Sequence, residues 1–184
     1  TLILVANAIS FLMYRITLHN SPKFHVKLAA RPPGGICNRI GDGFVVWGVT
    51  VLTPSRWYNS QGLLMTPLFS RNSDAIDPGA FGRSECGILA CNTISTGDDH
   101  IVLKGGHHVS DLIIAHNHFG TGHGMSIGSE TYGGEGSGVG VENVLVYDLT
   151  IDSDSRWTGA AAGTAPGEGD ATGGENGIRI KSDI

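Results

Sequence analysis

A ten-residue segment of this chain recurs 25 positions further on. Ile88-Leu89-Ala90-Cys91-Asn92-Thr93-Ile94-Ser95-Thr96-Gly97 aligns with Ile113-Ile114-Ala115-His116-Asn117-His118-Phe119-Gly120-Thr121-Gly122, matching at Ile, Ala, Asn, Thr and Gly positions. Leu145-Val146-Tyr147-Asp148-Leu149-Thr150-Ile151 keeps the same apolar alternation after a longer excursion, and Gly43-Phe44-Val45-Val46-Trp47-Gly48-Val49-Thr50-Val51 is a weaker earlier copy. Short β-rich repeats of this period mark a solenoid, in which no repeat buries its own apolar face and stacking creates the core. The Leu-x-x-Leu-x-Leu spacing of leucine-rich repeats is absent. The pattern predicts an all-β chain, a right-handed parallel β-helix with Asn and Ser at its corners and Gly at its bends. It reads as one domain over 1–184, cut at both ends from a longer helix. Segments 133–140 and 156–175, rich in small and polar residues, are expected to be surface loops.

Composition supports this class. The chain has 28 glycines in 184 residues without a collagen-like period, and its Val, Ile, Thr, Asn and Ser suit short strands and tight turns. A formal charge of −5 argues against nucleic acid as a partner, because phosphate binding needs a basic stripe. The apolar stretch 2–13 is interrupted by Asn7 and Ser10 and is shorter than the ~20 residues of a membrane span. It reads as strand. Cys37, Cys86 and Cys91 cannot all pair within the chain. A small bridge between Cys86 and Cys91 is permitted but not required, and buried free thiols are the expectation.

Successive coils of a parallel β-helix lie about 4.8 Å apart, so residues one period apart become neighbours. Asp98 and Asp99 stand one repeat period after Asp74, and His123 stands one period after Asp99. Beyond the second loop, Asn176-Gly177-Ile178-Arg179-Ile180-Lys181 resumes a strand. Period-two alternation turns Ile178 and Ile180 inward and Arg179 and Lys181 outward. One outer patch then carries three carboxylates, an imidazole and two cations. Carboxylates this close raise the pKa of at least one of them, and glycoside hydrolysis needs a protonated acid beside an ionised base. The cations suit a substrate that itself bears carboxylates. Asp77 and Asp111, out of this alignment, read as turn residues. His107, His108, His116 and His118 form no zinc-ligand spacing, so no metal site is expected. Trp47, Trp57 and Trp157 could stack on sugars, but single aromatics more often fill core or loop.

Asn72-Ser73-Asp74, Gly97-Asp98-Asp99, Gly122-His123-Gly124 and Arg179-Ile180-Lys181, in this order and spacing, resemble the four signature motifs of glycoside hydrolase family 28, the polygalacturonases. Asn20-Ser21-Pro22 with Phe24-His25-Val26 resembles the strand preceding the catalytic coils of that family. The resemblance implies inverting hydrolysis of α-1,4-galacturonosidic bonds in pectin or polygalacturonic acid. Asp98 would be the general acid, Asp74 and Asp99 would activate the attacking water, and His123 would assist the acid. Arg179 and Lys181 would hold a galacturonate carboxylate, and Asn72 would orient neighbouring groups. It implies no metal or organic cofactor, a homogalacturonan partner, no nucleic acid or membrane partner, a monomer, and a secreted or periplasmic location.

Three departures stand out: Ser73 for the usual Thr, Ala75 for the usual Gly, and the family's catalytic-face Tyr, expected beyond Ile184. The segment from Gly122 to Thr131 resembles the exo-acting bacterial members. Alternatives are a hydrolase of rhamnogalacturonan and a non-catalytic pectin-binding β-helix. A calcium-dependent lyase would need an arginine base and acidic calcium ligands.

Overall fold

The computed structural model describes residues 1–53, 61, 72–128, 140–152 and 177–181. Its strands form three parallel sheets, and each coil of the chain adds one strand to each. Sheet A runs β1 (Ile3–Ile9), β4 (Val26–Arg31), β7 (Ile76–Pro78), β10 (Ile101–Leu103), β13 (Met125–Ile127) and β16 (Ile178–Ile180). Sheet B stacks β2 (Phe11–Tyr14), β5 (Phe44–Trp47), β8 (Ser84–Ala90), β11 (Val109–Ala115) and β14 (Val141–Tyr147). Sheet C stacks β3 (Thr17–His19), β6 (Thr50–Leu52), β9 (Thr93–Ser95), β12 (His118–Phe119) and β15 (Thr150–Ile151). This is a parallel β-helix, as the repeat predicts. Expected loops 133–139 and 156–175, with Trp57 and Trp157, lie outside the described residues.

In-register pairing lines like residues up through the interior. Met13, Val46, Leu89, Ile114 and Val146 form one column on sheet B, and Leu18, Val51, Ile94, Phe119 and Ile151 form another on sheet C. Most of these side chains are fully buried, and burying an aliphatic side chain stabilises by roughly 1.5–3 kcal/mol. Gly87 pairs with Phe44, and a Cβ there would meet that ring at 2.1 Å. The aromatic ring fills the space a side chain would take.

The corner between sheets B and C explains the repeated asparagine. Arg15, Gly48, Cys91, His116 and Asp148 occupy it in successive coils, all with φ between 49° and 64°. Each of the first four donates its N–H to the next coil. The following position holds Asn92 and Asn117 in the central coils. Asn117 Oδ1 accepts from the Asn92 N–H at 3.0 Å and from Asn92 Nδ2 at 2.9 Å, while Asn117 Nδ2 donates to the Leu89 carbonyl at 2.9 Å. Asn92 Oδ1 in turn accepts from Val49 N–H at 2.9 Å. Buried backbone groups that the bend would strand are thereby satisfied.

Several expectations change. Cys37 pairs with Cys86 across 49 residues with Cα atoms 5.5 Å apart, leaving Cys91 free and half-buried. Neither the Cys86–Cys91 bridge nor a set of buried free thiols is what forms. Cys37 lies outside the repeat, so no spacing rule could bring it to Cys86. Asp77 is a fully buried residue of β7 and Asp111 belongs to β11, so neither is a turn residue. Asp111 has φ 57° in a bulge column with Cys86 and Asn143, which accounts for its turn-like sequence signal. Ile178 and Ile180 pair with Met125 and Ile127 on the inward side, yet are 53% and 73% exposed. No further coil covers them among the described residues. Trp47 stands partly exposed on sheet B, away from the acids.

Each buried polar group left without a partner costs about 1–3 kcal/mol, so Asn117→Leu is expected to lower the unfolding free energy by several kcal/mol. Urea denaturation measures this, and an unchanged midpoint would show that the ladder contributes nothing.

Candidate active site

The acids gather where the chain enters sheet A. Ile76, Ile101 and Met125 are in-register partners, so Asp74, Asp99 and His123, each two residues earlier, occupy equivalent positions on adjacent coils. Asp98 lies one residue before Asp99. The structure therefore brings together Asp74, Asp98, Asp99 and His123. Arg179 of β16 and Lys181 just beyond it close the group from two coils away.

Asp99 is 2% exposed and fully engaged. Its Oδ1 accepts from Arg179 Nη2 at 2.6 Å and Ser126 Oγ at 2.7 Å, and its Oδ2 from Lys181 Nζ at 2.8 Å. Both cations thus already neutralise a carboxylate of the protein. Asp98 Oδ2 accepts the backbone N–H of Asn72 at 2.9 Å, and its Oδ1 faces His123 Nδ1 at 3.2 Å. Asn72 contributes through its backbone, at φ 58°, and its residue is exposed. Asp74 Oδ2 lies 4.0 Å from Lys104 Nζ.

These surroundings drive two neighbouring carboxyls apart. Burial, the largest influence on Asp98, would raise its pKa. The hydrogen bond and charge of His123, with the N–H groups of Asn72 and Asp99, outweigh it and bring the pKa to about 2. Asp74 is raised to about 7, first by burial and then by the negative charge of Asp98, with Lys104 opposing. Asp77 is pushed well above the usual carboxylate range by burial and by Asp74. Below about pH 7 a proton therefore favours Asp74 over Asp98.

Two buried histidines brace the acids. His100 is stacked on Phe119 with ring centroids 4.7 Å apart. Its Nε2 meets the Thr121 carbonyl at 2.8 Å and its Nδ1 accepts the Gly124 N–H at 3.0 Å. These partners fix the neutral Nε2–H tautomer, and burial lowers its pKa to about 4. Gly122 has φ +139°, and a Cβ there would come within 2.7 Å of His100 Nε2 and of the Asp98 carbonyl. The glycine before His123 is thus a packing requirement. His25 is also fully buried. Its Nδ1 donates to the Asp74 carbonyl at 3.1 Å and its Nε2 accepts from Thr53 Oγ1 at 2.6 Å. Ser73 Oγ accepts the Gly97 N–H at 2.9 Å, so the Ser-for-Thr departure keeps its hydroxyl in use.

Sequence reasoning missed two contributors. Ser126 pairs with Arg179 on the outward column, and Lys104 occupies the position equivalent to Lys181. Extending the outward alternation past the acids would have found both. Among the described residues, the one trio with ligand atoms within 4.8 Å of one another is Asp98, Asp99 and His123. A cation there would compete with Arg179 and Lys181 for Asp99. His116 and His118 pair separately with Asp148 and Asp152.

The sequence profile described as Glycosyl hydrolases family 28 matches residues 1–157. This chain belongs to that family. It is similar to a protein named polygalacturonase from Ralstonia nicotianae (strain ATCC BAA-1114 / GMI1000), 36% identical over 199 residues that cover 100% of this chain and 31% of the relative. It is also similar to an endo-polygalacturonase of Pectobacterium carotovorum subsp. carotovorum, 37% identical over 185 residues, covering 99% of this chain and 33% of the relative. A polygalacturonase of Ralstonia solanacearum is 35% identical over 99% of this chain and 31% of its own length. The chain thus spans about a third of the length of the curated relatives it matches. No solved structure matches it significantly.

Two titrations check the electrostatics. Carbon-detected NMR should show Asp98 ionised down to about pH 2 and Asp74 holding its proton to about 7, and His123→Ala should raise Asp98. Native Asp74 keeps a proton that the unfolded chain sheds near its ordinary value of 3.8. The stability it contributes is full below that value and is lost as pH rises through about 7. Asp74→Asn should remove that part of the pH dependence of unfolding. A parallel slope in wild type and variant would contradict the shift.

Proposed function

We propose that this chain forms the catalytic part of a polygalacturonase, hydrolysing α-1,4-galacturonosidic bonds of pectin or polygalacturonic acid with inversion. The observation that carries the reading is the convergence of Asp74, Asp98 and Asp99 with His123, Arg179 and Lys181 on one face of sheet A. The names of the relatives support the substrate class.

In this reading Asp98 gives a proton to the glycosidic oxygen as the bond to the anomeric carbon breaks. Water attacks that carbon from the opposite face and loses its proton to Asp74, with Asp99 helping to hold the water. The negative charge of Asp98 helps to raise Asp74, so the protonation of the two carboxyls is linked. This division of roles requires the proton that Asp74 holds to pass to Asp98 before the bond is cleaved, and His123, hydrogen-bonded to Asp98, is the group that can deliver it. Arg179 and Lys181 divide their charge between Asp99 and a galacturonate carboxylate, and Asn72 orients Asp98 through its N–H. The reading needs no metal or organic cofactor, and the protein acts as a monomer on homogalacturonan.

The Cys37–Cys86 bridge suits an oxidising compartment, in keeping with a secreted or periplasmic location. No helix among the described residues is long and apolar enough to cross a membrane. The sequence from Gly122 to Thr131 resembles exo-acting members, whereas the Pectobacterium carotovorum relative is named an endo-enzyme.

Reducing-sugar release from polygalacturonate, with products resolved over time, tests the reading. Activity should survive chelation and yield no unsaturated product absorbing in the ultraviolet. Asp98→Asn should lose at least about 10²–10⁴-fold in kcat, the usual share of acid–base groups. Monomer alone from the outset would mean exo action, and a ladder of oligomers would mean endo action. A protein that binds the polymer equally well with and without Asp98, and releases nothing, would be a binding β-helix instead.

A further inference from the structure

Lys27 carries a charge that the hydrolytic reading does not use. It projects from β4, on the far side of Asp74 from Arg179 and Lys181. Its Nζ sits 4.0 Å from the centre of the Phe24 ring and 4.8 Å from that of Phe81. Two aromatic faces thus hold the ammonium in place, and no carboxylate among the described residues lies within ion-pair distance of it. Lys27 forms one wall of a cavity of about 290 Å³, with Phe24, Ala80, Lys104 and His107 as the other side chains and two glycine backbones between them. No carboxylate belongs to that described lining.

The cavity adjoins the acids through Lys104, whose Nζ is 4.0 Å from Asp74 Oδ2. Asp77, the in-register neighbour of Lys27, is fully buried, and neither carboxyl oxygen has a hydrogen-bond partner. Burial and Asp74 push its pKa well up. Lys27 thus presents its ammonium to the cavity, while Lys104 faces Asp74. An anion is the ligand such a wall favours, and the cavity is near the lower end of small-ligand sites, which begin at about 300 Å³.

We infer that this cavity is a further uronate subsite: it takes the carboxylate of a sugar beyond those flanking the cleaved bond, with Lys27 as its principal charged contact and Lys104 linking it to Asp74. Phe24 and Phe81 are positioning residues that fix the Lys27 ammonium. The inference rests on the hydrolase reading for its substrate class, and a longer acidic chain would gain binding energy here that a shorter one cannot reach.

Kinetics on galacturonate oligomers of defined length test it, using wild type, Lys27→Met and Lys27→Arg. In wild type kcat/KM should rise with length. In Lys27→Met the ratio of kcat/KM on a long oligomer to that on the shortest one cleaved should fall about tenfold, the order expected for one charged contact. Lys27→Arg should restore most of it. An unchanged ratio in Lys27→Met, or an equal loss at every length, overturns the subsite. Should wild type cleave no oligomer, the hydrolase reading fails on its own account. Calorimetric binding of trigalacturonate then decides the subsite: weaker binding to Lys27→Met upholds it, and equal binding overturns it.

Discussion

Hydrogen bonds between one coil and the next carry this molecule. Each strand of the three sheets finds its backbone partners in adjacent coils, at positions well separated along the chain, as Ile3 with Val26 and Met125 with Ile178 illustrate on sheet A. A parallel ladder of this kind fixes direction as well as distance, because paired residues point to the same side. The core columns and the outward row of charges are two consequences of one register. A slip by a single position would exchange them.

That register also sets the chemistry. Acids on adjacent coils are forced near one another whatever their mutual repulsion, and the protein resolves the conflict differently for each. Asp99 is neutralised by Arg179 and Lys181, and Asp98 is held ionised by its hydrogen bonds from His123 and the N–H groups of Asn72 and Asp99. Asp74, with only Lys104 at 4.0 Å, keeps its proton instead. The neutral, buried His100 and His25 beside them hold backbone groups of this region without adding charge. Neutral imidazoles give the rigidity a cluster of acids needs while leaving their proton balance to His123 and the lysines.

Much of this was legible in the sequence because the coil period is short and nearly constant between Asp74 and Ile127. There a fixed spacing converts directly into neighbourhood, and Asp74, Asp98, Asp99 and His123 follow from it. Arg179 and Lys181 were legible through the alternation of the strand that resumes after the second excursion and through their motif, not through the period, which the longer excursions before β14 and β16 break. Ser126 and Lys104 escaped notice because a single Ser or Lys carries no signal until its column is known. The Cys37–Cys86 bridge was hidden for a different reason: Cys37 sits in an irregular segment with no counterpart in the neighbouring coils. Asp77 misled because a buried acid in a strand looks, in sequence, like any acid beside a proline.

Met125 meets its partner Ile178 only after a long excursion of the chain, whereas Ile101 meets Met125 after a single regular repeat, yet the two joints are alike. The chain can therefore lengthen at a corner without disturbing the rows on either side, since closing a longer loop adds only about 0.6 kcal/mol per doubling. The clustered acids and the longer excursions thus lie in separate stretches of polypeptide. Exchanging a corner segment between relatives would be expected to leave the acids where the ladder holds them.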